Sequence, residues 1–178
     1  MRPDPNLKDR FPLLDQRLRT LGLDYIQNHK RIFDALVRVS NSDPIRVMTA
    51  LRANTPPDVT FHNQPIIGKN ANTNGYTFPG SPYISLAKHF CKRGERGLRK
   101  DPEGRLNVRF ERTLLHELCH WLTFEWDKSD PDTIVHFEGR GQINTIEAGY
   151  HFEYYAYGGY RPWRYGRPGK GDPEDEDD

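Results

Sequence analysis

His116, Glu117 and His120, within the run His116-Glu117-Leu118-Cys119-His120, are the residues of this 178-residue chain whose types and spacing most directly imply chemistry. Two histidines four apart on an α-helix project from one face, because four steps of a 3.6-residue turn overshoot a full rotation only slightly. Imidazoles so placed can reach one zinc ion, each at about 2.0–2.1 Å. Glu117, beside the first histidine, is placed to take a proton from a water at that metal. Together they make the working parts of metal-assisted peptide hydrolysis.

Those residues need a helix beneath them, and the flanking sequence supplies one. Over Leu106–Phe124, Phe110, Leu114, Leu118, Trp121 and Leu122, with Leu115 alongside, recur at helical spacing with no proline or glycine between. A lone histidine on such a face is ordinarily a satisfied core residue. A pair at i and i+4 with glutamate between favours the metal. A catalytic zinc takes three protein ligands and keeps one position open. The third is expected from a second helix, Asn144–Tyr157, where Ile143, Ile146, Tyr150 and Tyr157 recur at helical spacing and Glu153 falls on the same stripe. An inward carboxylate needs a partner, because an unpaired buried charge is strongly unfavourable. Glu147 and His151 are the rivals, and Gly149 and Ala156 make a small face that would let the two helices approach closely.

The run LLHELCHW (Leu114–Trp121), then EAGYHFEYYAYG (Glu147–Gly158), with YISLAKHF (Tyr83–Phe90) upstream, resembles the zinc metallopeptidase toxin domains of bacterial type VI secretion effectors and polymorphic toxins. The first run is generic to zincins; the pattern G-x-x-F-E-x-x-A-Y-G at Gly149–Gly158 is more specific. Glu153-x-x-Ala156 is similar to the third-ligand segment of Glu-zincins. Thr123 and Trp126 stand where metzincins carry glycine and a third histidine. The resemblance implies His116, His120 and Glu153 as zinc ligands and Glu117 as general base. It implies a secreted antibacterial or anti-host peptidase acting on peptide or protein in the target cell, in its periplasm. Such domains are often carried by a parent secretion-spike or Rhs protein, and a cognate immunity protein protects the producer. Residues 1–63 contribute nothing to the resemblance. Two other readings stand beside it. One is a SprT-like cytosolic, DNA-associated metalloprotease, which would take His136 or His151 in place of Glu153. The other is an inactive zincin-fold binding module, against which an intact Glu117 argues.

The length suits a single domain, expected over residues 1–160, with a helical part at 1–55 and a catalytic part at 80–158. Residues 161–178 read as a flexible acidic tail, rich in Gly, Pro and charge and without apolar periodicity. Six of the 25 acidic residues fall in Asp172–Asp178, leaving 19 against 26 basic ones elsewhere, a net +7 hidden beneath an overall +1. Many basic residues lie in Lys92–Lys100, a mixed-charge stretch with two glycines that reads as a solvated loop rather than a nucleic-acid surface. No stretch approaches a membrane span, and Met1–Arg10 lacks the apolar core of a signal peptide, so export would use a machine that does not read one. Cys91 and Cys119 are too few for a disulfide framework, and Cys119 is expected as a buried thiol.

The remaining elements follow from local signals. Leu13–Val39 reads as one or two helices, broken near Gly22, and Asp43-Pro44 opens a helix running to Arg52. Thr55–Gly80 reads mostly as loop with a short strand near Pro65–Ile67. Tyr83–His89 alternates as a strand and is expected to pair with an extended substrate. The fold class is therefore α+β, mainly helical and zincin-like, with a small sheet beside the histidine helix.

Overall fold

The computed structural model describes residues 1–62, 74–100, 108–127, 133–136, 143–146 and 148–157. Its elements run β1 (Arg2–Pro3), α1 (Pro5–Arg10), α2 (Pro12–Asn28), α3 (Lys30–Val39), α4 (Pro44–Leu51), β2 (Asp58–His62), β3 (Gly75–Thr77), β4 (Tyr83–Ala87), α5 (Lys88–Lys100), α6 (Val108–Asp127), β5 (Thr133–His136), β6 (Ile143–Ile146) and α7 (Ala148–Tyr157). The fold is α+β and mainly helical, as the sequence predicts. Four strands form a sheet in the order β1-β2-β4-β3, parallel except for β3, which runs antiparallel to β4. The two-stranded β5–β6 pair is antiparallel.

One apolar core joins the helices to the sheet. Val59, Ile84 and Leu86 of the sheet, Leu14, Leu18 and Leu21 of α2, Phe90 of α5, Phe110, Leu114 and Leu118 of α6, and Phe152 of α7 are all buried in it. Each such side chain removed from water is worth about 1.5–3 kcal/mol. The helix starts follow their capping residues. Asp43 accepts a hydrogen bond from the Ile45 amide at 2.7 Å ahead of Pro44, and Asp4 caps α1 in the same way at 2.8 Å.

Several expectations are corrected. The break between α2 and α3 falls at His29, not Gly22, which lies inside α2. A Cβ at Gly22 would sit 1.9 Å from the Leu51 carbonyl oxygen, so this glycine serves a close approach of α2 to α4 rather than a chain break. Strands lie at Asp58–His62 and Gly75–Thr77, whereas the expected strand near Pro65–Ile67 falls outside the described residues. The strand expected over Tyr83–His89 ends at Ala87, and the stretch read as a charged loop is helix α5. Phe90, Cys91, Gly94 and Leu98 form its buried face, and Lys92, Arg93, Arg96, Arg99 and Lys100 are exposed. The helix expected over Asn144–Tyr157 is a strand up to Ile146 and a helix only from Ala148. The chain after Tyr157, including the predicted tail, lies outside the described residues.

Candidate metal centre

Helix α6 is the floor of the site. It packs on β3 and β4 on one side and on α7 on the other, so its polar residues are held between two layers. Leu114, Leu115, Leu118, Cys119 and Leu122 are buried along it. Trp121 donates from its indole nitrogen to the Ser81 carbonyl at 3.0 Å, pinning α6 to the β3–β4 connection. The Cys119 thiol approaches the Ala148 carbonyl at 3.7 Å, tying α6 to the start of α7. Cys91 and Cys119 are both buried and unbonded to each other.

His116, Glu117 and His120 are all buried, at 9%, 7% and 7% relative exposure, on a helix that also buries Leu114, Leu115 and Leu118. The two imidazole centroids are 5.0 Å apart, as the four-residue spacing requires. Polar groups in such a place are unfavourable unless something engages them. Glu153 of α7 is buried as well, at 7%, and meets this cluster. Its Oε1 lies 2.8 Å from His116 Nδ1, and its Oε2 accepts from Arg112 Nε at 2.5 Å. Arg112 stands one turn before His116 on the same helix and was not singled out by sequence reasoning. A cation four residues ahead of the first histidine, on the histidine face, was the signal that could have found it.

The small face of α7 makes this approach possible. A Cβ at Gly149 would lie 2.3, 2.4 and 2.5 Å from His116 Nε2, Cδ2 and Cε1. Three nearly equal distances place that point over the imidazole face, not ahead of Nε2 in the ring plane. Only a residue without a Cβ lets α7 pack this closely on the ring. Tyr150 packs edge-on to the same ring, at 5.0 Å between centroids.

The other candidates divide. His151 lies against Tyr155, at 4.8 Å between centroids, on the side of α7 turned away from Gly149. Burial, and then the Arg38 guanidinium, hold its pKa below the usual histidine value. Glu147 and the side chain of His136 lie outside the described residues. Of the tyrosines near the end of the chain, Tyr150 is brought to the histidine pair. Tyr154 is exposed, and Arg38 stacks over the Tyr155 ring at 4.0 Å. Tyr157 donates to Glu111 at 3.4 Å, and burial followed by the Glu111 charge pushes its pKa well above the ordinary phenol value.

The expected substrate strand is also corrected. β4 is paired on both sides, with β2 and β3, so it has no free edge to offer. Among the described residues, the sheet edge beside the histidine helix is β3. A Cβ at Gly75 would come within 3.0 Å of Glu117 Cγ, so β3 runs directly against the glutamate.

Two buried imidazoles one helical turn apart are a donor pair suited to zinc, which accepts nitrogen and oxygen ligands. Among the described residues, no three His, Cys, Asp or Glu side chains converge as a complete ligand set. Glu153 reaches the pair at His116 Nδ1.

A buried His-Glu-x-x-His helix under a small mixed sheet, closed by a second helix carrying glutamate, is the layout of a zincin-like metallopeptidase domain. The chain belongs to the metallopeptidase toxin 3 family, whose model matches residues 7–158. No curated protein and no solved structure compared with the chain gives a match.

Proposed function

We propose that this domain is a zinc-dependent peptidase whose cleavage of peptide bonds is the toxic activity. The observation that carries the reading is the buried turn His116–Glu117–His120, roofed by α7 with Glu153 on His116. His116 and His120 are the residues that would hold the ion, with Glu153 set against His116 at Nδ1. When bound, zinc supplies a Lewis acid and a water acidic enough to lose its proton near neutral pH. Glu117 would take a proton from the attacking water and return it to the leaving amine as the C–N bond breaks. The contact of β3 with Glu117 favours an extended substrate added to that strand's outer edge, with main-chain hydrogen bonds setting register. Tyr150 is the tyrosine best placed to donate toward the carbonyl oxygen as charge develops there.

Family membership supports the toxin role and a target outside the producing cell. Among the described residues, no helix is long and apolar enough to cross a membrane. The resemblance supports delivery by a type VI or related machine, a parent spike or Rhs protein, neutralisation by an immunity protein, and action in the target cell's periplasm.

The test is expression of wild type and Glu117→Gln in a sensitive bacterium, confined to the cytoplasm or sent to the periplasm. Wild type is expected to kill chiefly from the periplasm, and the variant not at all. Glutamine can accept a hydrogen bond from the water but cannot take its proton, a loss worth about 10²–10⁴-fold in rate. Equal killing by the variant would show that hydrolysis is not the toxic activity.

A further inference from the structure

We propose that Glu153 is a positioning residue: gripped by Arg112, it fixes His116 through Nδ1 and so presents Nε2 as the ligating nitrogen. The inference rests on the zinc reading above and refines it.

Both oxygens of Glu153 are engaged. Oε2 accepts from Arg112 at 2.5 Å, and Oε1 sits 2.8 Å from His116 Nδ1. An ionised carboxylate only accepts hydrogen bonds, so the proton between Glu153 and His116 lies on Nδ1. A neutral imidazole with hydrogen on Nδ1 carries its lone pair on Nε2. The two nitrogens face opposite ways from the ring, so an oxygen bonded at Nδ1 is not also a ligand of an ion held at Nε2.

The packing agrees. Gly149 lies over the ring face, and Tyr150 supports the ring edge-on. Turning the ring would break the Glu153 hydrogen bond and drive it against the backbone of α7. Arg112 matters because it balances the charge of a carboxylate that is only 7% exposed and holds one oxygen, leaving the other to His116. A carboxylate behind a ligating histidine fixes its tautomer and raises its basicity.

The test uses the full chain, with Glu153→Ala, Glu153→Gln and His116→Ala. Nitrogen-15 NMR of metal-free protein reads the His116 tautomer. Chelator competition reads zinc affinity, and the visible spectrum of the cobalt-loaded protein reads the ligand set. In wild type, His116 is expected as the Nδ1–H tautomer, and Glu153→Ala should lose that preference. Its zinc affinity should fall about 10–100-fold, with the cobalt bands unmoved. Glu153→Gln retains an amide oxygen that can accept the same hydrogen bond, so it should recover most of the affinity and the tautomer. A ligand role predicts otherwise: both variants would lose zinc as completely as His116→Ala, and any residual cobalt spectrum would shift. That result, or an Nε2–H tautomer in metal-free wild type, overturns the proposal. Failure of the zinc reading itself has a different signature, namely wild type taking up no zinc and matching His116→Ala. The metal-free tautomer measurement still decides the role of Glu153 in that case.

Discussion

Gly149→Ala sets two effects of opposite sign against each other. Helix propensity alone favours the change, by at most the about 0.5–1 kcal/mol that alanine gains over glycine in a helix interior, since Gly149 lies in the first turn of α7. The structure predicts the reverse. The added methyl would sit 2.3–2.5 Å from three atoms of the His116 ring, where carbon contacts normally settle near 3.5–4.0 Å. More than an ångström must be found by parting α6 from α7 or by turning the imidazole. The ring is held at Nδ1 by Glu153 and flanked by Tyr150 and His120, so it cannot yield cheaply. Overpacking of this kind costs about 1–3 kcal/mol, leaving a net loss near 1–2 kcal/mol after the propensity gain. At about 2–4 °C per kcal/mol for a chain of this size, the melting temperature should fall by about 2–8 °C. Gly97→Ala is the control, because a Cβ there meets nothing within 4 Å on helix α5. It should be neutral or raise the melting temperature slightly. Thermal unfolding of the metal-free proteins measures both. If Gly149→Ala melts at or above wild type, α7 does not pack on His116 as described.

Two further outcomes follow from buried carboxylates with different duties. Glu95 of α5 accepts from the Leu14 amide at 2.9 Å and the Leu13 amide at 3.4 Å, capping α2 from 81 residues away, so Glu95→Ala should lower stability in urea by about 0.5–2 kcal/mol. Glu117→Gln should leave melting temperature and zinc content at wild-type levels while abolishing hydrolysis, because its role is proton transfer.

The legible parts were those written in local pattern. The histidine helix could be read because its apolar positions persist over about three turns, Phe110 to Leu122, around two histidines at i and i+4. The inward placement of Glu153, though not its role, could be read because it falls on the apolar stripe of its helix, and the structure buries it against His116. Helix α5 was hidden by its charge and by Gly94 and Gly97, which conceal the spacing of Phe90, Cys91 and Leu98. The strand Ile143–Ile146 passed for helix because two isoleucines three apart share a helix face, whereas in a strand they point to opposite faces; its β-branched content, Ile143, Thr145 and Ile146, was the contrary signal. The β3 edge could not be read at all. Three residues, Gly75–Thr77, carry no periodicity, and their place is fixed by pairing with β4 and by contact with Glu117. Arg112 lay in plain view, but only the tertiary approach of α7 shows what it grips.

If this turn of α6 holds zinc as proposed, metal content reveals it. Elemental analysis of protein purified without added metal, and again after zinc is supplied and excess removed, should give about one zinc per chain for wild type. His116→Ala and His120→Ala should fall to near zero while remaining folded. Wild-type protein that stays empty when zinc is supplied, or histidine variants that keep a full equivalent, would contradict the account.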